Sequence, residues 1–450
     1  MFITMKDKKT KLIIGLALLT ITTTVMSCSK DSDTPSAQED IANAGGGSTE
    51  QADSSKKNGE DVIYMLPETR SISLTAEQRQ MVERSNAFSY RLYQATSSAD
   101  QQKGENVVMS PLSVMYVLGM LNDGAGGDTE KELSSLIGLP EGSKGLINGY
   151  SQALMTQAPL ADPSVILQTA NIVATANDLQ TAQQYKDDMQ QYYASETVSL
   201  DFTQPSALQF LNDWCNEKTQ GLIPSILDEL DPATRMVLMN AVYFKATWAE
   251  KFDPEDTRDE TFTSEGGQTA TIPMMHRKAI ALYAQCDNYA MLCLPYGSGT
   301  QWQMMVLLPN EGTTVDDVIG SLTSTSWEKQ WQLYRNIYQV DIKMPRFSTS
   351  SDVRLNDIIA QMGAPLMFSG QADFSLITEN DEHLSVSLLK QKAAIEVNEE
   401  GTKAAAVTAE AMVGANLPTQ EVDFHANRPF VYIIRETSSS VVFFIGTYRG

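Results

Sequence analysis

Apolar side chains recur along this chain with two periods, and the period changes from helical to extended about halfway. Thr75 followed by Gln78 has the form of a capping box, and Met81, Val82, Ser85, Phe88 and Leu92 then share one helical face. Ser110-Pro111 opens a second helix over residues 112–121, stopped at Gly124. Residues 179–195 and 206–218 read as two more, the second with Ala207, Phe210, Leu211 and Trp214 as its stripe. From Met236 onward, short apolar runs predominate. Residues 236–244, 290–295, 304–309 and 340–344 have strand length, 355–362 return to helix, and 386–397, 431–435 and 441–447 are strands again. There is no βαβ alternation and no internal repeat. The pattern predicts an α+β fold with helices gathered early and large mixed sheets late.

The front of the chain does not share this patterning. Residues 29–60 carry almost no large apolar side chain and cannot offset the entropy of ordering, so they read as a flexible tether. Ahead of them, Lys6, Lys8, Lys9 and Lys11 precede a threonine-rich apolar run too short to span a bilayer comfortably. Val25-Met26-Ser27-Cys28 resembles a bacterial lipobox. The expectation is a lipoprotein signal peptide over 1–27, a lipidated Cys28 and tether over 28–71, and a folded domain over 72–450. That would place the protein at the bacterial cell envelope, on the outer membrane or cell surface, with its domain outside the cytoplasm. An ordinary cleavable signal peptide with an incidental cysteine is the alternative.

Hydrophobic residues make up 42% of the 450, ample for a core. The net charge is −23; removing residues 1–27 takes away four lysines and Asp7, leaving 29 basic against 55 acidic, or −26. Such a surface repels nucleic acid and anionic lipid. Cys215, Cys286 and Cys293 are an odd set that cannot all pair, and read as buried thiols, with a Cys286–Cys293 bridge left open. The three histidines, His276, His383 and His425, lie in no H-E-x-x-H motif and near no suitably spaced cysteine, so no metal or other cofactor is expected. No G-x-S-x-G surrounds a serine, and Gly124-Ala-Gly-Gly127 lacks the Lys of a phosphate loop. No nucleophile–base pair is visible, and the chain does not read as an enzyme.

Residues 396–412, EVNEEGTKAAAVTAEAM, are too small and polar for an ordinary core strand and contain no proline to bar them from a sheet. In a strand, Thr402, Ala404, Ala406 and Thr408 line one face and Lys403 the other. That suits a segment exposed in one state and inserted between strands in another. By helix propensity alone, an alanine-rich surface helix fits equally well.

This run resembles the proximal hinge of the reactive-centre loop of serpins. Other motifs follow in that family's order. Asn106-Val-Val-Met-Ser110-Pro-Leu-Ser113, Leu121-Asn-Asp-Gly-Ala-Gly-Gly127-Asp-Thr129 and Asn240-Ala-Val-Tyr-Phe-Lys-Ala-Thr-Trp248 come first. Leu307-Leu-Pro309-Asn-Glu-Gly312, Met344-Pro345-Arg346-Phe347 and Phe424 with Asn427-Arg428-Pro429-Phe430 complete them. Together they cover about residues 72–450.

The resemblance implies the serpin fold: a helix-rich N-terminal part and three β-sheets, with a reactive-centre loop at about 401–423. It implies a suicide substrate for serine, and also cysteine, endopeptidases, acting as a monomer. Glu399, Glu400, Gly401, Thr402, Ala404, Ala405 and Ala406 would form the hinge. Ser110, Ser113, Asn240, Trp248, Arg346 and Gln391 would lie where the sheet must part. Gln391 stands where the family usually has histidine, and Glu399 and Arg346 occupy positions that form a salt bridge in some members. The scissile bond falls between Ala415 and Asn416, with Met412, Val413 and Leu417 as alternatives. These residues are apolar and uncharged, which favours an elastase-like target. Glu410 departs from the pattern, because it falls on the inward face. The competing reading is a non-inhibitory carrier or binding protein of the same fold.

Overall fold

The computed structural model describes residues 68–140, 142–299, 301–323, 326–380, 382–402 and 420–450. Cys28, Ala404, Ala405, Ala406, Ala415 and Asn416 lie outside the described residues, as do the alternative bait positions and Glu410.

Among the described residues there are nine α-helices: α1 Ala76–Ser97, α2 Pro111–Gly124, α3 Gly127–Leu136, α4 Lys144–Gln157, α5 Gln183–Tyr193, α6 Pro205–Lys218, α7 Val315–Ser321, α8 Ser326–Tyr334 and α9 Asn356–Gln361. The helix α1 starts at the expected capping box. Thr75 Oγ1 accepts from the Gln78 amide at 3.2 Å and Gln78 Oε1 accepts from the Thr75 amide at 3.0 Å, a pairing worth about 1 kcal/mol. In α2, Ser110 caps and Pro111 occupies the first turn, where a missing N–H costs nothing. Every α2 residue except Asp123 is buried, so this helix is internal, packed on strands to either side. None of the described helices is long and apolar enough to cross a membrane.

Strands β10 Phe347–Arg354, β11 Lys390–Asn398, β12 Gly401–Thr402, β4 Met236–Thr247, β2 Val165–Ala176 and β3 Ser195–Leu200 form a six-stranded sheet in that spatial order. A nine-stranded network runs β1 Val108–Met109, β15 Val442–Tyr448, β14 Phe430–Glu436, β8 Trp302–Pro309, β7 Tyr289–Tyr296, β6 Thr269–Gln285, β9 Asn336–Pro345 and β13 Glu421–His425, with β5 Arg258–Thr263 also paired to β6. The three expected sheets are therefore present as two ladders. The long β6 pairs with β5 and β9 over most of its length and with β7 only at Tyr283–Gln285, joining two sheets on one strand.

Three strands of the helical half, β1, β2 and β3, escape the periodicity reading. In β2 the burial alternates only at the start and then covers both faces, since α6 packs on β2 and β4 from outside, which erases the period of two. The strand expected from 386 begins at Lys390. Asn356 accepts from the Leu389 amide and donates to Ser387 O, tying this stretch to the start of α9 instead of to a ladder.

All three cysteines of the described residues are free and buried. A Cys286–Cys293 bridge is excluded by the hairpin register. Cys286 stands opposite Tyr289, which leaves Cys293 four residues further along β7, about 13 Å away, where a disulfide needs Cα atoms about 4.4–6.8 Å apart.

Candidate functional site

The strand β12 is only two residues long but fixes the geometry of the whole region. Asn398 ends β11, Glu399 and Glu400 turn the chain back, and Gly401 and Thr402 run antiparallel to both neighbours. Thr402 pairs with Val397 on one side and Ala246 on the other. Asn398 makes the turn possible, because its Oδ1 accepts from the amides of Glu400 at 3.0 Å and Gly401 at 3.2 Å. Gly401 has φ of +138°, and a Cβ there would lie 2.3 Å from Ala246 O and 2.6 Å from Thr247 Cα. Only glycine fits that approach.

The turn is tied down by both backbone and side chains. Glu400 O accepts from the Trp248 amide at 2.9 Å, and Glu399 O from the Phe252 amide at 3.1 Å. The Glu399 carboxylate is buried; it accepts from Arg346 Nε at 3.1 Å, from Arg346 Nη2 and from Thr257 Oγ1 at 2.7 Å. Burial, the largest single effect, opposes its ionisation. The hydrogen bonds from Arg346 and Thr257, with the Arg346 charge, together outweigh it and hold this carboxyl below the usual glutamate range. Glu400 pairs with Lys251. Trp248 donates to Asn398 O at 2.9 Å and stacks on Tyr296 with ring centroids 4.4 Å apart. The Tyr296 hydroxyl in turn shares a 2.7 Å hydrogen bond with Thr402 Oγ1, so the first side chain after the hinge glycine points into the core.

Because β12 separates them, β11 and β4 stand two strand spacings apart at this level, about 9.5 Å. Among the described residues, no ladder joins β11 directly to β4 below Thr402. Residues 390–396 and 236–245 thus face each other as the two banks of a slot. Its far end widens into a cavity of about 370 Å³ between Leu238 on β4 and Leu389 on the β11 side, reached also by Leu121 of α2 and by Arg354.

The internal helix α2 holds both banks. At its N-cap, the Ser110 amide donates to Gln391 Oε1 at 3.2 Å and Gln391 Nε2 donates to Ser110 O at 2.9 Å, gripping β11. One turn on, Ser113 Oγ bonds Asn240 of β4, whose Nδ2 donates to Asn171 of β2 at 2.7 Å. Gln391 supplies one donor and one acceptor at once, which a single imidazole nitrogen could not. On the outer face, Asp228, from the segment between α6 and β4, reaches across to β11. It lies 2.6 Å from Lys390 Nζ and 3.5 Å from Lys392 Nζ, and both lysines also contact Asp352 at 3.1 Å.

The structure thus brings Ser110, Ser113, Asn240, Trp248, Arg346, Gln391 and Glu399 to Thr402 around one slot. Sequence reasoning missed Tyr296, Thr257, Asn171, Asn398 and the Asp228 bridge. Only Asn398 had a local signal, an Asn three residues before a turn glycine with two acidic residues between; the rest are separated from their partners by tens of residues or more.

A family model described as serpin (serine protease inhibitor) matches residues 83–449. An uncharacterized serpin-like protein of Thermococcus kodakarensis is 32% identical over 393 residues, which is 86% of this chain and 89% of that protein. The native-state structure of the thermophilic serpin tengpin matches with a TM-score of 0.75 and 26% identity, covering 86% of this chain and 97% of its own. Human thyroxine-binding globulin, solved with its hormone, matches with a TM-score of 0.74 and 28% identity, covering 83% and 99%. Members of the family are mostly protease inhibitors and not catalysts. With its hinge turn, its slot and the match over most of its length, the chain belongs to the serpin family.

Proposed function

We propose that this serpin is a suicide-substrate inhibitor of endopeptidases with an elastase-like preference, held at the bacterial cell envelope as a monomer by lipid on Cys28. The observation that carries the inhibitory reading is the seat of Gly401 and Thr402 between β11 and β4, above a slot whose banks have no direct pairing among the described residues. Continuing that register sets Ala404 opposite Phe244 and Ile395, Ala406 opposite Val242 and Ala393, and Thr408 opposite Asn240 and Gln391. Small side chains at these places let a strand enter without displacing the banks.

The target's nucleophile attacks the Ala415 carbonyl, the Ala415–Asn416 bond breaks, and the Asn416 amine leaves with a proton from the protease. Ala415 remains bonded to the protease as an ester, or a thioester for a cysteine enzyme. The freed segment from Thr402 onward then fills the slot as a strand antiparallel to both banks, carrying the acylated protease with it. The same register brings Glu410 opposite Leu238 and Leu389, at the cavity that Arg354 also lines. The carrier reading is favoured only by the likeness to thyroxine-binding globulin. It demands no covalent complex.

Mixing the chain with pancreatic elastase tests this. The expected result is a denaturant-resistant covalent complex. Thr402→Arg forces a charged side chain into the place beside Tyr296, at a cost on the order of several kcal/mol. It should be cleaved, release active protease and form little complex. A Thr402→Arg variant that inhibits as well as the wild type rejects the hinge assignment, and a wild type that never forms the complex supports the carrier.

A further inference from the structure

On one face at the edge of the nine-stranded network, the register of β6, β9 and β13 sets six ionisable side chains in two rows. His276, Lys343 and His425 make one row, and Lys278, Asp341 and Asp423 the other. Asp341 is the centre. His276 Nε2 hydrogen-bonds its Oδ1 at 2.6 Å, and His425 Nε2 lies 3.6 Å from the same oxygen, too far for a hydrogen bond. That His425 Nε2 is shielded from solvent and has no hydrogen-bond partner. One oxygen each from Asp341 and Asp423 and one His425 nitrogen lie within 4.8 Å of one another.

We propose that Asp341, Asp423 and His425 form a binding site for a divalent first-row transition cation, with Zn²⁺ the best fit, which staples β13 to β9. One imidazole and two carboxylates match zinc's ligand preferences, whereas calcium and magnesium take oxygen alone. A tetrahedral ion with bonds of about 2.0–2.1 Å holds its ligand atoms about 3.4 Å apart. The His425–Asp341 separation already approaches that, and Asp423 is exposed on the edge strand, its oxygen within 4.8 Å of the other two ligand atoms. Two carboxylates neutralise the ion. His276 acts as a positioning residue by fixing the Asp341 rotamer.

The neighbouring cations are accounted for. Lys343 Nζ is turned to Glu260 at 2.8 Å, away from the site. Lys278 Nζ lies 3.9 Å from Asp341 Oδ2 and is exposed, so its charge opposes the ion and lowers the affinity. The spacing of ligands along the sequence hid the site, because Asp341 comes from a strand some eighty residues before β13. Two residues apart on one strand, Asp423 and His425 share a face.

The strand β13 pairs, among the described residues, only with β9 and over five residues, in parallel. It follows directly on the reactive-loop region, so an ion bridging Asp341 to His425 fixes the loop's distal anchorage. The site itself does not depend on the inhibitory reading. Chelator-treated full-length chain titrated calorimetrically with zinc chloride at neutral pH should bind one equivalent with micromolar affinity. His425→Asn and Asp423→Asn, both at the sheet edge, should each weaken it at least tenfold. Zinc should slow amide hydrogen exchange over 422–425 at least tenfold in the wild type and leave His425→Asn unchanged. Absence of binding at millimolar zinc, or binding that survives His425→Asn, overturns the proposal whatever the chain does to proteases.

Discussion

At Glu399 a buried carboxylate is kept charged by partners on other segments, and its titration couples the hinge to pH. Its folded pKa is depressed, so the stability it contributes is fully present above its ordinary value of 4.5 and is lost as pH falls through the lowered value. Glu399→Gln removes that contribution at every pH. Because Arg346 is half exposed, the pair is screened, and the variant should lose only about 1 kcal/mol at pH 7. The gap between wild type and variant, measured by urea titration, should narrow progressively as pH falls below 4.5. A gap that does not narrow at any pH below 4.5 would remove the carboxylate from this role. The short motifs made Ser110, Ser113, Asn240, Trp248, Arg346 and Gln391 visible in the sequence as positions around a parting sheet. What they touch was not visible. Tyr296 meets Thr402 across 106 residues and Asn171 meets Asn240 across 69, and nothing local marks either contact.

Among the elements, a helical stripe served for α1 and α6, while β7, β8, β14 and β15, buried on both faces, showed only as continuous apolar runs. The strand β9 also has a recognisable run. The strands β2 and β3 were hidden by burial on both faces or by a polar sequence, and α3 and α4 were not read from the sequence either. The slot lies beyond periodicity altogether, since a space between two strands is a relation between ladders. It nevertheless has an energetic signature. The banks 390–396 and 236–245 carry backbone groups that a further strand can pair. Cleavage within residues 410–418 frees such a strand. At about 1 kcal/mol net for each of several new hydrogen bonds, and roughly 2 °C per kcal/mol in a chain of this size, nicked protein should melt about 10 °C or more above intact protein in calorimetry. An unchanged or lower melting temperature would mean that the intact fold is already at its most stable arrangement.

For the whole molecule, charge and anchorage act against each other. On the proposed processing before Cys28, the remaining body carries a net charge of −26 and would be repelled by anionic lipid, so its surface would supply no adhesion of its own. On the proposed reading attachment rests on lipid at Cys28, where each buried CH₂ of an acyl chain is worth about 0.8 kcal/mol. Mass spectrometry of the mature N-terminus should find lipid on Cys28, and Cys28→Ala should leave the protein unprocessed or released from membranes. An unmodified N-terminus elsewhere in the chain would reject the anchor.

The three buried thiols give the domain a property of a different kind. Burial pushes Cys215 and Cys286 up to about 11 and Cys293 up to about 12, so scarcely any thiolate exists at neutral pH in the closed fold. An oxidant or alkylating reagent therefore meets inert sulfur until a segment lifts. Cys215 lies on α6, which covers β2 and β4, and is near enough to Lys392 on the far bank to feel its charge. Its rate of modification is thus a built-in stopwatch for that cover, while Cys286 and Cys293, in the β6–β7 hairpin, keep time for the rest of the domain.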